Sequence, residues 1–268
     1  MKAVLLVPAA VLLLAGCAPS TSQLITLSSN NLTASPKQGF VYDNDTLRLS
    51  YQFFGERGTI HFTIENKLNK PLYIDWKRSA FIVGKEKMDY WRDEAEVNLA
   101  GTGNSLAYTR YWNRSYFDLG GTIRKTNAVD YIPPGTKLER DQFVVVPGPA
   151  LVLPGQSSTQ QVASTNPYKT KPVDVQVYEY NAQNSPLAFR NYLTLAVDKD
   201  FKQEFVLDSQ FWASGVQVMP FKQLTGGQEL LGTEQYTSNM LRNLPYYRAD
   251  GFFLTYTPVT GNLSNTPR

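Results

Sequence analysis

The chain has 268 residues, 42% hydrophobic and 18% charged, with 26 Lys and Arg against 23 Asp and Glu and a net charge of +3. That balance gives no electrostatic footprint for nucleic acid. The single Cys and single His exclude an intramolecular disulfide and any zinc site built from several Cys or His ligands, and a Cys–His nucleophilic pair would have to be Cys17 with His61. In chain order, Met1-Lys2 precedes an apolar run over 3–14 that is broken only by Pro8. The run is too short to cross a bilayer core, which takes ~20 residues. Its length and place are those of the apolar stretch of a secretory signal.

That run ends in Leu14-Ala15-Gly16-Cys17, which resembles the lipobox of bacterial lipoproteins. The resemblance implies cleavage before Cys17, a diacylglyceryl group (with acyl chains such as palmitate) on its thiol, and acylation of its new amino group. Residues 1–16 are then a signal peptide, and lipidated Cys17 holds the chain at a membrane. Each buried methylene contributes about 0.8 kcal/mol, so several acyl chains release slowly. Position 18 is Ala rather than Asp, the inner-membrane retention signal of enterobacteria, so delivery to the outer membrane is expected. Some surface-exported lipoproteins of Bacteroidota carry acidic residues just after the Cys. This chain has none between Cys17 and Asp43, so a periplasm-facing body is expected. The Ser/Thr/Asn/Pro-rich residues 17–37 predict a flexible tether, leaving 38–268 as the body.

The body alternates with period two. Leu47, Leu49, Tyr51 and Phe53 share one face of a strand over 46–53, and Ile60, Phe62 and Ile64 share one face over 59–65. Gly55-Glu56-Arg57-Gly58 joins them as a turn, and Asn66 to Pro71 reads as the next turn. A third strand over 72–76 and a fourth from 80 to 83 follow. Three strands so closely joined predict an antiparallel meander whose apolar face packs on a second sheet. Later strands supply that sheet: 142–146, 173–179, 192–197, 204–207, 216–219 and 252–256. Helical spacing is confined to 233–244, through Tyr236, Met240, Leu241 and Leu244. The pattern predicts an all-β fold, an antiparallel immunoglobulin-like β-sandwich with a long inserted loop and at most one short helix. No internal repeat is evident. The run from Ile60 to Lys67, then Asn69 to Trp76 and Ser79 to Ile82, resembles a segment of uncharacterised Bacteroidota lipoproteins. That resemblance implies a fold and a compartment and transfers no functional residue.

Candidate chemistry is sparse. His61 stands on the polar face of its strand, and the G-x-S-x-G elbow is absent. Gly101-Thr102-Gly103-Asn104-Ser105-Leu106 lacks the third Gly of a dinucleotide loop and is read as part of a polar loop. Asp43-Asn44-Asp45 begins like a calcium loop but places Leu47 where an oxygen ligand is required, and it reads as a turn. Asp45-Thr46-Leu47 also fits the short O-glycosylation pattern of Bacteroidota. No catalytic residue, metal site or cofactor is expected. The segment that stands out is Tyr108-Thr109-Arg110-Tyr111-Trp112-Asn113-Arg114-Ser115-Tyr116-Phe117, in the long insertion before Lys137. Tyr108, Arg110, Tyr111, Trp112, Arg114 and Tyr116 are the candidate contact residues. Aromatics and Arg dominate protein-interface hot spots, and aromatic faces also bind sugars. The rings would equally serve to cap the sandwich core. The expectation is a non-enzymatic, lipid-anchored envelope protein that contacts another envelope protein. The alternative is a tethered glycan-binding module, and a more distant one is a glycoside hydrolase using carboxylates among Asp89, Asp93, Glu94 and Glu96.

Overall fold

The computed structural model describes residues 19–93, 95–109, 112–125, 127–226 and 238–258. Strands dominate it, and they form two antiparallel sheets packed face to face plus a separate two-stranded sheet. The first sheet takes its strands from both ends of the chain. β1 (Thr21–Ser29) lies between β15 (Glu204–Pro220) and β16 (Gly251–Tyr256). Beyond β15 come β14 (Ala188–Ala196), β6 (Leu72–Val83) and β10 (Val129–Ile132). β7 (Glu86–Asp89) also pairs with β6, while β13 (Val173–Glu179) pairs with β15 and carries β12 (Ser158–Val162). The second sheet runs β11 (Lys137–Val144), β5 (Thr59–Asn66), β4 (Leu47–Gln52), β3 (Gly39–Asp43), β2 (Thr33–Ser35). Among the described residues the other two strands, β8 (Ala95–Thr109) and β9 (Trp112–Lys125), pair only with each other. Among the described residues two helical turns complete the chain, α1 (Phe221–Thr225) and α2 (Ser238–Arg242).

The all-β sandwich is therefore as the alternation predicts. Leu47, Leu49, Tyr51, Ile60, Phe62 and Ile64 are all fully buried. They meet the other sheet through aromatic contacts, with Tyr51 and Phe211 5.2 Å apart and Phe53 and Phe189 5.6 Å apart between ring centroids. Each such ring, taken fully out of water, stabilises the fold by about 1.5–3 kcal/mol.

Four expectations need correction. Residues 17–37 are not a tether beyond Ser20, because β1 is a central strand with Gln23, Leu24, Ile25 and Leu27 buried. Its Ser and Thr residues suit a strand that is hydrogen-bonded on both edges, and Leu24, Ile25 and Leu27 supply the apolar burial. The body thus begins at Thr21 rather than at residue 38. Next, 46–53, 59–65 and 72–76 are not one meander. β4 pairs with β5, but β6 belongs to the other sheet. The crossing is fixed at Asn66, whose buried Nδ2 donates to the Lys70 and Ile132 carbonyls at 2.9 and 2.8 Å while its Oδ1 accepts from Leu68 N. The strands predicted at 72–76 and 80–83 fuse into β6 across an irregularity where Ser79 Oγ donates to Asp75 O and accepts from Thr194 N. Those at 204–207 and 216–219 fuse into β15.

The third correction concerns the long inserted loop. It is a β-hairpin, β8–β9, that leaves the edge of β6 after β7 and returns to it at β10. Gly101 to Leu106 is accordingly strand, not loop. The fourth is small: the described helix near 233–244 covers Ser238–Arg242 only, and α1, which was not expected, follows Pro220 and ends at Gly226 in the left-handed region.

Candidate functional site

The hairpin carries the sequence-derived candidates. In its register Glu96 stands opposite Arg124, Asn104 opposite Tyr116, Leu106 opposite Arg114 and Thr109 opposite Trp112. Pairing steps from Ala107 to Thr109 on β8 but by one residue on β9, so Tyr108 is the extra residue of a bulge beside the tip. Trp112, Arg114 and Tyr116 alternate along β9 and share one face. Arg110 and Tyr111 lie outside the described residues, as does Cys17. The structure thus places Tyr108, Trp112, Arg114 and Tyr116 at the tip end of one two-stranded ribbon rather than in an irregular loop.

The carboxylates are spread over β7, the segment that follows it and β8. Asp89 ends β7 and is 2.5 Å from Lys87 Nζ, Glu96 lies on β8 opposite Arg124, and Glu94 is outside the described residues. Asp43 ends β3 and Asn44-Asp45 forms the turn that follows, in which Asn44 Oδ1 accepts from Thr46 N and Leu47 N at 2.9 and 2.8 Å.

A second feature was not found from sequence. His61 on β5 and Asp141 on β11 are cross-strand partners, and His61 Nδ1 contacts Asp141 Oδ1. They border a groove of about 570 Å³, also lined by Phe54, Glu56, Arg242 and Tyr247. The turn at its rim requires Gly58, whose φ is +68° and where a Cβ would lie 2.7 Å from the Phe252 ring. Phe54 and Tyr247 meet edge to face at 4.9 Å and wall the groove. The groove offers an oriented imidazole, two carboxylates, those of Asp141 and Glu56, and a cation, while among the described residues its hydroxyls are those of Thr59 and Tyr247. The wide sequence separation of β5, β11 and residues 241–247 hid this feature, and only the register of β11 against β5 reveals it.

Inside the sandwich a polar chain links the two sheets. Tyr90 Oη donates to Asn191 Oδ1 at 2.7 Å, Asn191 Nδ2 donates to Tyr51 Oη at 2.9 Å, and Tyr51 Oη donates to Ser209 Oγ at 2.9 Å. Burial pushes both phenols well above the ordinary tyrosine range. This network is structural and opens into neither the groove nor solvent.

Comparison with protein-family models, with curated proteins and with solved structures returns no significant match. No described helix is long and apolar enough to cross a membrane.

Proposed function

We propose that the chain is a lipid-anchored protein of the bacterial outer membrane, facing the periplasm, that acts by contact with another protein rather than by catalysis. The observation that carries this reading is the hairpin: β8 and β9 form a sheet of their own that holds the aromatic and Arg cluster at its tip. An isolated hairpin is marginal in water, and its unpaired edges invite pairing with another chain. The anchor rests on Leu14-Ala15-Gly16-Cys17 behind the apolar run. β1 starts four residues after Cys17, so chain geometry holds the body within about 14 Å of the acylated residue.

The test is photo-crosslinking in intact envelopes from a probe placed at Trp112. A discrete protein adduct, weakened by Arg114→Ala with Tyr116→Ala, is the expected result. Absence of any protein adduct, together with sugar-dependent labelling on a glycan array, would replace protein contact by glycan binding.

A further inference from the structure

Alternation along the hairpin sorts its residues into two unlike faces. Residues directly opposite each other in an antiparallel pair share a face. One face therefore carries Val97 opposite Ile123, Leu99 opposite Gly121, Gly101 opposite Leu119 and Gly103 opposite Phe117, then Ser105 opposite Ser115 and Ala107 opposite Asn113. No charged residue stands on it between the 97/123 and 107/113 rows. The other face carries Glu96 opposite Arg124, Asn98 opposite Thr122, Ala100 opposite Gly120, Thr102 opposite Asp118, Asn104 opposite Tyr116 and Leu106 opposite Arg114. Every charged residue of those rows falls on this second face.

The dimensions fit a bilayer. From 97 to 107 the strand runs about 33 Å at its usual rise. At the 35–45° tilt of a membrane barrel that becomes a band roughly 25 Å tall, the height of the apolar belt of outer-membrane barrels. Beyond the band on one side stands Lys125 and on the other Tyr108 and Trp112, residue types that favour the membrane–water boundary. A soluble β-ribbon has no need of an uncharged face eleven residues long.

We propose that β8–β9 is a membrane-spanning hairpin and that hairpins from several copies of this chain close into one transmembrane β-barrel, the uncharged face to lipid, with Ser105, Ser115 and Asn113 confined to its tip end, and the charged face to an aqueous lumen. This rests on the reading of the hairpin as the contact element and names its partner as further copies of the chain. Closure is required because backbone groups left unpaired in hydrocarbon cost several kcal/mol each, so two strands cannot insert alone. Among the described residues each hairpin has one unpaired edge on β8 and another on β9. Pairing β8 of one copy with β9 of the next is a head-to-tail contact, which forms a ring where the rotation between copies closes.

The test uses the full-length lipidated protein in phosphatidylethanolamine–phosphatidylglycerol vesicles. With Cys17 acylated, an introduced Cys is the only free thiol for a fluorophore. Val97→Cys, Leu99→Cys and Leu119→Cys are expected to be quenched several-fold more by spin-labelled acyl chains than by aqueous iodide. Asn98→Cys, Thr102→Cys and Thr122→Cys should show the reverse, and crosslinking should give a ladder of homo-oligomers. Leu119→Arg should abolish both lipid quenching and the ladder, while Thr102→Arg keeps both, with circular dichroism confirming the sandwich in each. Protein that floats with the vesicles yet shows no alternation, or stays monomeric, overturns the barrel and leaves the anchor standing. A different envelope protein crosslinked along the 97–103 face overturns the barrel and keeps the contact reading. Alternation that persists in Cys17→Ser supports the barrel independently of acylation.

Discussion

Tyr51 shows how a single side chain ties the two sheets together. It belongs to β4, and its hydroxyl binds Asn191 and Ser209 of the opposite sheet at full burial. Tyr51→Phe keeps the ring and strands those two partners, so a loss of about 1–3 kcal/mol is expected in urea denaturation. The same hydroxyl makes stability pH-dependent. The folded phenols of Tyr51 and Tyr90 hold their protons above the ordinary tyrosine range because they are buried. Below about pH 10 both the folded and unfolded states carry those protons, and the contribution is constant. Above it the unfolded phenols ionise while the buried ones do not, so stability falls as pH rises. Denaturation midpoints between pH 9 and 11 should show this decline, with a shallower slope in Tyr51→Phe. Gly39 sets a harder limit. Its φ is +82°, and a Cβ there would lie 1.9 Å from the Tyr51 carbonyl oxygen. Gly39→Ala is expected to lower stability by more than about 2 kcal/mol, read as a lower thermal midpoint.

At the scale of elements, legibility followed how local the determinant was. Leu47, Leu49 and Tyr51 announce β4 because half-burial stamps a period of two on neighbouring residues. The meander expectation failed at Asn66, where partners at Lys70 and Ile132 redirect the chain into the other sheet. One of those partners is 66 residues away, beyond the reach of any local pattern. β1 was misread because Ser and Thr serve coil and strand alike. The deciding fact, pairing with β15 and β16 from the far end of the chain, is not local either. The hairpin was half legible: the Tyr, Trp and Arg cluster marks 108–117, while the signal for the strands lies on either side of it, in Val97 and Leu99 and in Leu119 and Ile123. Glycines and polar residues between those positions diluted the alternation until the register aligned the two arms. The His61–Asp141 pair, on strands joined only by tertiary register, left no trace in the sequence.

The molecule as a whole joins three parts: an amino-terminal segment bearing the lipobox-like residues, a sandwich closed by its own terminal strands, and a hairpin that belongs to neither large sheet. β1 follows Cys17 so closely that anchoring would position the body as well as confine it. A hairpin whose first strand has 15 residues, about 46 Å at the usual rise, is long enough to act beyond the sandwich surface. On this account the fold is a mount and the ribbon is the working part. The most direct check is the mass of the amino-terminal peptide of the protein extracted from its own membranes. The account predicts a chain beginning at residue 17, with a diacylglyceryl thioether on the Cys17 sulfur and an acyl chain on its amino group. A chain that retains residues 1–16, or a Cys17 with an unmodified thiol, would contradict it.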